Sequence, residues 1–471
     1  TLGPRVVAHP PYPGVALWMA GAGVVHQGVG QNGRIWLNGE PSEVLLAREA
    51  VQLIANEAHL PGLTDRVRAF LEEKKPGGVD ADLELALALV DEATIVADAS
   101  SLILAASENP GGTELVAVRV LESIASRLGG RSRREPVAPD RPNLSIRFGP
   151  DPTEAVPGIL MLGHSDVVPA GEGWAADPFN PRVADGWLTG RGAADMKGGI
   201  AAALQALAAV HTVRPELPLE LLVTVDEEDL ATGIEAHLAA TDAAAVYRAC
   251  IVAEPTDLAV VIACRGAANL QVEVRGRAAH AGRPEDGASA ITTAARIVDW
   301  IADDHARLRA GASGLLGSAT WNVGRIEGGH GTSIVPDRCT LLVDRRLMPG
   351  ETGAEALGQL SAGIERALGD DGCTADASLL MEMPGFETDT AHPLVGAAVD
   401  ALVAEGAPAP VEAWTAACEG GFIARHHGCP TIILGPGDIT GQAHQPDERV
   451  RIADLRAAAR AYVRLALHLH R

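Results

Sequence analysis

Positive charge and aromatic side chains are scarce in this 471-residue sequence. Lys and Arg total 38 against 61 for Asp and Glu, which gives a formal net charge of −23, and aromatic residues make up 3%. The charge argues against a general nucleic-acid-binding surface, because such binding depends on clustered cations. No apolar run reaches the roughly 18 residues of a membrane-spanning helix, so we expect no insertion into a membrane.

Cysteine is also sparse, with six residues that are widely spaced and form no CxxC pair. A disulfide framework is not expected in a chain of this length, of which 47% is apolar, so we predict reduced structural thiols. We therefore expect a cytoplasmic protein. The apolar content is enough for a sizeable core, and the length indicates two or three domains.

Residues 1–80 form a leader to which we assign no role. Its patterns predict four elements, namely a buried strand at 14–25, for which a signal-peptide core is the alternative, a strand at 34–37 and helices near 43–57 and 62–74. A Lys-Lys-Pro-Gly-Gly linker then precedes the rest of the chain.

Residues 81–266 and 384–471 are predicted to form an α/β catalytic domain, with a mixed, mostly parallel sheet flanked by helices. Its first helices are expected near 81–98 and 113–128. Continuous apolar runs, typical of strands covered on both faces, predict four strands at 159–162, 219–225, 249–253 and 431–434.

Residues 267–383 show a different order of elements, β-α-β-β-α-β, which is typical of a ferredoxin-like α+β domain. We predict that this domain is inserted into the larger one. The elements that define the order are strands and helices at 269–275, 287–308, 319–326, 339–346, 351–368 and 374–382.

A residue able to bind metal follows each of the four apolar strands. These residues are His164, Glu228, Glu254 and, beyond a Gly-Pro-Gly loop, His444. One such residue alone would indicate a strand-end side chain facing water. Four together indicate a site, because ligands bind at the carboxyl ends of the strands in open α/β sheets.

Asp195 completes the set, within the glycine-rich segment GRGAADMKGG at 190–199. Two imidazoles and three carboxylates without a thiolate suit zinc, and also cobalt or manganese. Five ligands exceed the three protein ligands of a usual catalytic zinc site. The sequence therefore predicts two divalent ions that share one carboxylate.

Two further carboxylates lie beside the predicted ligands. Asp166, two residues after His164, is placed to accept the other ring N–H of that histidine and so fix its tautomer. Glu227 adjoins Glu228 and can face the substrate. There it would act as general base, taking a proton from metal-activated water and passing it to the leaving nitrogen.

The segments that carry these residues resemble the M20 metallopeptidase family. This family includes acetylornithine deacetylases, succinyl-diaminopimelate desuccinylases and glutamate carboxypeptidases, and the resemblance covers roughly residues 85–471. Six motifs in the same order carry it: GHSDVVPAGEGW (163–174), GRGAADMKGG (190–199), DEED (226–229), AEPTD (253–257), HAGRPEDGASA (280–290) and GPGDITGQAHQPDE (435–448).

The resemblance implies a zinc-peptidase-like fold and a division of the ligands between two ions. His164 and Glu254 would hold one ion, Glu228 and His444 the other, and Asp195 would bridge them. It supports the role of Glu227 as general base.

The resemblance also implies roles in substrate binding and assembly. Residues 267–383 would form a lid that dimerises, and His280 would stabilise the oxyanion in the partner subunit. Arg346 matches the family's D-x-R, and its guanidinium would bind a substrate carboxylate, a surface salt bridge being the alternative. Ser333 stands where many relatives have Asn, and Glu419 lies in a late substrate-side loop.

Together these features predict a metal-dependent amidohydrolase that removes an acyl group from an N-acylated amino acid or a related small amide. Two alternatives are compatible with the same residues. The first is a dipeptidase or carboxypeptidase of the same family, which would share the chemistry and differ in pocket shape. The second is a non-catalytic binding relative, which the presence of every expected ligand disfavours.

Overall fold

The computed structural model describes residues 5–7, 26–29, 34–38, 79–241, 246–370 and 372–470. The chain divides into two compact units, Thr1–Val90 with Ala208–Glu216, and Asp91–Leu207 with Leu217–Arg471. In the part that is described, no helix is both long and apolar enough to cross a membrane.

The first unit contains a small antiparallel sheet with its third strand in the middle. Its strands are β1 (Arg5–Val7), β2 (His26–Val29) and β3 (Arg34–Asn38). The strand predicted at 34–37 is therefore confirmed. The strand predicted at 14–25 and the helices near 43–57 and 62–74 lie outside the described residues.

The helix predicted at 81–98 is two helices, α1 (Val79–Leu89) and α2 (Glu92–Ile103). Asp91 caps α2, and its side chain accepts a hydrogen bond from the Thr94 N–H. An N-cap residue has extended backbone, so this cap ends the continuous helical path. The next helix, α3 (Leu115–Leu128), agrees with its prediction and ends at the left-handed Gly129.

The second unit is built on a nine-stranded sheet. Its strands are β4 (Arg131–Ala138), β5 (Arg141–Phe148), β6 (Gly158–His164), β9 (Leu219–Thr224), β10 (Tyr247–Val252), β11 (Val260–Cys264), β16 (Phe386–Glu387), β17 (Val411–Trp414) and β18 (Thr431–Ile433). They run in the order β16-β11-β18-β10-β6-β9-β5-β4, and β17 also pairs with β11.

The four strands predicted from apolar runs are neighbours in this sheet, in the order β18-β10-β6-β9, and all are parallel. Their registers align the carboxyl ends, since Val252 lies opposite both Leu162 and Ile433, and His164 lies opposite Thr224. The predicted fold class, a mixed and mostly parallel sheet flanked by helices, is confirmed.

Helices flank this sheet, and every residue of its central strands β6 and β9 is buried. The helices include α4 (Gly198–Val213), α5 (Thr232–Ala240), α8 (Pro393–Val403), α9 (Gly420–His427) and α10 (Ile452–Leu469). Helix α4 begins so close to β10 that a Cβ on Gly199 would lie 2.1 Å from the Ala253 carbonyl oxygen. Only glycine permits this approach, which brings the start of α4 against the end of β10.

The inserted segment has the predicted β-α-β-β-α-β order. Its elements are β12 (Gly266–Arg275), α6 (Ala290–Ala310), β13 (Thr320–Gly328), β14 (Arg338–Leu347), α7 (Gly353–Ala367) and β15 (Thr374–Met383). The four strands form an antiparallel sheet in the order β13-β14-β12-β15. Alternate side chains of β14 are buried, because they pack with α6 and α7 on one face.

Two adjacent chain segments connect the inserted segment to the large sheet. Cys264 pairs with Phe386 at the edge of the large sheet, and Ala267 pairs with Met383 in the inserted sheet. Gly266 lies at this crossing, where a Cβ would come within 2.4 Å of the Met383 carbonyl oxygen. The connection is therefore a two-stranded ribbon that has no room for a side chain at Gly266.

A third, smaller sheet joins distant parts of the second unit. It contains β7 (Arg182–Ala184), β8 (Trp187–Thr189) and β19 (Arg449–Arg451), with β8 in the middle. The pairing of β19 with β8 places the loop that ends at Glu448 beside the segment that starts at Gly190, whose N–H donates to the Glu448 carbonyl oxygen at 2.9 Å.

Candidate metal centre

His164 ends the central strand β6 and is buried at the carboxyl edge of the sheet. Its Nδ1 lies 3.0 Å from the backbone carbonyl oxygen of Asp166. A carbonyl oxygen only accepts, so this contact places the ring proton on Nδ1 and leaves the Nε2 lone pair free. Nε2 lies 3.2 Å from Asp195 Oδ1 and 3.5 Å from Glu254 Oε1.

Asp195 lies between the two predicted histidine ligands. Its Oδ1 faces His164, and its Oδ2 lies 3.3 Å from His444 Nε2. The irregular turn Ala193–Lys197, entered through the left-handed Gly192, is buried and presents this side chain from the start of α4. One carboxylate oxygen directed at each imidazole is the arrangement that a bridging carboxylate needs.

Glu228 and His444 form the second half of the cluster. His444 Nε2 lies 3.2 Å from Glu228 Oε2. The other oxygen of Glu228 is buried and has no hydrogen-bond partner within the described part of the chain. His444 has a φ of 63°, a left-handed conformation that is uncommon outside glycine, and its side chain is 50% exposed.

The electrostatics of the cluster fit divalent cations. Burial raises the pKa of Glu227, Glu228 and Glu254, and the charges of neighbouring carboxylates raise it further. Burial would also raise the pKa of Asp195, but hydrogen bonds to His164 and His444 outweigh it and hold that pKa well below its usual range.

The donor atoms are also close enough to share ions. Ligand atoms of His164, Asp195 and Glu228 lie within 4.8 Å of one another, as do those of His164, Glu227 and Glu254. The donors are nitrogen and oxygen, which zinc, cobalt and manganese accept. The unpartnered Glu228 oxygen and the crowded carboxylates are the features that a bound cation would satisfy.

A network around Asp166 holds the turn that carries Glu227 and Glu228. The Asp166 carboxylate accepts the Glu227 N–H at 3.3 Å and the Glu228 N–H at 3.2 Å. Its Oδ1 also lies 3.5 Å from His164 Nδ1, the predicted partner, and the backbone carbonyl oxygen of Asp166 lies closer to that nitrogen, at 3.0 Å. The Asp166 carboxylate therefore serves mainly to hold the backbone of the turn that carries Glu227 and Glu228.

Asn109 is a site residue that the sequence analysis missed. Its Nδ2 donates to Asp166 Oδ2 at 2.9 Å and to Asp226 Oδ1 at 3.0 Å, and the side chain is buried. One amide group thereby joins the loop after β6 to the loop after β9. The only signal in the sequence was a turn pattern, which does not indicate a partner.

Glu419 lies beside the cluster. Its Oε2 accepts a hydrogen bond from Thr224 Oγ1 at 2.5 Å, at the strand end opposite His164, and its Oε1 is buried without a partner among the described residues. Burial raises the pKa of Glu419 to about 8. The structure thus places this predicted substrate-side residue at the same edge of the sheet as the metal ligands.

The remaining predicted residues lie in the inserted segment. His280 is exposed and its Nδ1 accepts the Gly282 N–H, Ser333 is exposed, and Arg346 Nε donates to Asp344 Oδ1 at 3.1 Å. In the described ranges, no hydrogen bond or ion pair joins them to the cluster. Their roles in oxyanion and substrate binding stay predictions.

Comparison with known proteins assigns the family. The chain belongs to peptidase family M20/M25/M40, whose model matches residues 160–468. It is 32% identical over 356 residues to an acetylornithine deacetylase from Edwardsiella ictaluri, an alignment that covers 73% of this chain and 88% of that protein. The chain is therefore an M20-family metallo-hydrolase that acts on C–N amide bonds.

Solved structures share the fold at lower identity. A tripeptidase from Staphylococcus aureus matches with a TM-score of 0.65 and 22% identity, covering 81% of this chain and 99% of that one. A dinuclear metal-binding M20 peptidase from Bacillus subtilis matches with a TM-score of 0.59 and 14% identity, covering 80% and 99% of the two chains.

Proposed function

We propose that this protein is a two-zinc deacylase that hydrolyses the amide bond of an N-acylated amino acid and releases a carboxylate and an amine. The observation that carries the proposal is the placement of Asp195, with one carboxylate oxygen 3.2 Å from His164 and the other 3.3 Å from His444. The similarity to acetylornithine deacetylases supports the choice of an acylated amino acid.

The ligands divide into two sets around Asp195. His164 and Glu254 would hold one cation and Glu228 and His444 the other, with Asp195 shared between them. When bound, the two cations supply Lewis acidity that polarises the scissile carbonyl and favours ionisation of water. Zinc fits the donor set, with cobalt or manganese as alternatives.

Glu227 is the proton carrier in this proposal. A carboxylate oxygen of Glu227 lies within 4.8 Å of the ligand atoms of His164 and Glu254, which places it beside the proposed cation site. It accepts a proton from the water whose oxygen attacks the carbonyl carbon. It then delivers that proton to the nitrogen as the C–N bond breaks, which leaves a neutral amine and a carboxylic acid that ionises.

Replacing Glu227 tests the mechanism. Glu227→Ala should abolish turnover while the cation content per chain stays at the wild-type level. The matched control is Asp229→Ala, which removes an exposed carboxylate two residues away and should leave both turnover and cation content at the wild-type level. Full activity in the Glu227 variant would reject the assignment of the general base.

A substrate panel separates the deacylase from the alternative, a dipeptidase or carboxypeptidase. The panel contains N-acetylated amino acids, with N-acetylornithine among them, and dipeptides of matched side chains. We expect higher kcat/KM for the acetylated compounds. Faster cleavage of the dipeptides would favour the alternative, and a purified protein that holds no cation would favour a binding relative.

We further propose a homodimer formed through residues 267–383, a lid in which His280 completes the partner's site and Arg346 and Ser333 contact the substrate. Exposed apolar side chains on this segment, Ile326 and Ile334 among them, support an interface. A monomeric mass in solution would contradict it. All six cysteines are buried, and Cys250, Cys264, Cys339, Cys418 and Cys429 are free thiols, which supports a cytoplasmic location.

A further inference from the structure

Glu448 is a buried carboxylate four residues after His444, with 1% of its surface exposed. It accepts three backbone N–H groups from the segment that carries Asp195. Its Oε2 accepts from Gly192 at 3.1 Å, and its Oε1 accepts from Ala194 at 2.9 Å and from Asp195 at 3.0 Å. The backbone of the shared carboxylate is thus held by a residue of the loop that carries the second histidine.

Arg191 is the partner of Glu448 and is also almost fully buried. Its NH1 donates to Glu448 Oε2 at 2.7 Å. Its NH2 donates to the carbonyl oxygens of Ala170 at 3.1 Å and His444 at 3.5 Å, and its guanidinium carbon lies 5.1 Å from the Trp174 ring centre. The pair therefore joins three segments: the loop after β6, the turn before α4 and the loop before β19.

These segments have little regular structure to fix them. Gly192, His444 and Asp447 all have left-handed backbone, with φ of 87°, 63° and 53°. A non-glycine residue keeps this conformation only where the surroundings determine it. Donors and acceptors of Arg191 and Glu448 supply the hydrogen bonds that a helix or sheet would otherwise provide.

A buried ion pair is by itself weak evidence for a contribution to stability, because the desolvation of both charges offsets their attraction. The contacts of this pair are directed instead at the backbone of two proposed metal ligands, Asp195 and His444. We propose that Arg191 and Glu448 are a positioning pair that sets the distance between Asp195 and His444 and so determines cation affinity. This inference rests on the proposed two-cation function.

Shortening Glu448 tests the proposal without removing its charge. Glu448→Asp cannot reach all three N–H groups, so Co²⁺ should bind about 10- to 100-fold more weakly, as is typical when groups that orient ligands are lost. The visible absorption of bound Co²⁺, which reports ligand geometry, should also change. Neither readout requires turnover.

Glu220→Asp is the matched control. Glu220 is equally buried, at 1% exposed, and is paired with Arg147 at 2.9 Å, but it lies four residues before Thr224 in β9, away from the cluster. Both variants should lower the unfolding temperature of the cation-free protein. Only the Glu448 variant should weaken Co²⁺ binding and alter the spectrum.

Three results would count against the positioning pair. Wild-type affinity and spectrum in Glu448→Asp would overturn it, as would an equal loss in Glu220→Asp, which would show a global effect. If Glu448→Asp does not fold, Arg191→Lys carries the test, and wild-type Co²⁺ binding there would overturn it. A wild-type protein that binds no Co²⁺ would instead reject the proposed function on which the inference rests.

Discussion

Asn109 offers a direct test of how the general base is held in place. Its amide donates to two buried carboxylates, Asp166 at 2.9 Å and Asp226 at 3.0 Å. Asp166 in turn accepts the N–H groups of Glu227 and Glu228. Removing the Asn109 side chain therefore disturbs the turn that carries the base without touching a metal ligand.

The magnitude follows from the two hydrogen bonds. A hydrogen bond to a charged group contributes about 1.5–3 kcal/mol, and the carboxylates keep other donors. Asp226 still accepts from Arg141 at 3.0 Å and from Thr232 Oγ1 at 2.6 Å. We therefore expect a contribution at the lower end of that range, about 1.5 kcal/mol, for each of the two bonds. Asn109→Ala should then reduce the free energy of unfolding by about 3 kcal/mol.

The assay is denaturant unfolding of the cation-loaded enzyme together with kcat. Asn109→Asp is nearly isosteric but replaces the donor with a third carboxylate, so it should destabilise the protein more than Asn109→Ala and lower kcat at least as much. Wild-type stability and kcat in both variants would refute the reasoning, since the two carboxylates would then not need this donor.

Three further predictions follow from the cluster and its surroundings. Asp195→Asn should weaken the binding of both cations, because Asp195 faces both histidines. Metal analysis that finds two tightly bound ions per chain would contradict this. Treatment with a chelator should abolish activity, and added Zn²⁺ or Co²⁺ should restore it; activity that survives complete cation removal would reject the mechanism. Burial, with His426 and His237 nearby, lowers the pKa of His427 from 6.5 to about 4. The folded state then binds fewer protons than the unfolded state, so the free energy of unfolding should fall as pH drops from 6.5 toward 4, and less steeply in His427→Phe; equal slopes in denaturant unfolding would contradict it.

Four of the five proposed metal ligands could be grouped from sequence because each comes after a continuous apolar run, whereas Asp195 lies in a glycine-rich segment. Such runs mark strands covered on both faces, and parallel neighbours bring their carboxyl ends together. The structure confirms that β18, β10, β6 and β9 are parallel neighbours. The inserted segment was predictable for a related reason, since its strands and helices differ clearly in hydrophobic period.

Other elements left no such pattern. Strand β4 is an edge strand in which most side chains are exposed, and its run of Arg and Glu lacks the apolar alternation that predicts a strand. The break after α1 depended on the Asp91 cap, a single residue within a helical pattern.

Asn109, Arg191 and Glu448 were unpredictable for a different reason, namely the distance along the chain to their partners. Asn109 contacts a residue 57 positions away, and Arg191 contacts one 257 positions away. Local sequence carries no information about such pairs. It indicates which residues can bind a cation, while the groups that orient those residues become visible only in three dimensions.

The narrow ribbon between the large sheet and residues 267–383 constrains how that segment can move. Two hydrogen-bonded strands side by side bend readily out of their common plane but resist sliding past each other. With Gly266 packed against the Met383 carbonyl oxygen, the two strands are held side by side where they pass from one sheet to the other. A rotation of the inserted segment relative to the large sheet would therefore be centred on these two short strands, and it would leave the backbone pairing within each sheet intact.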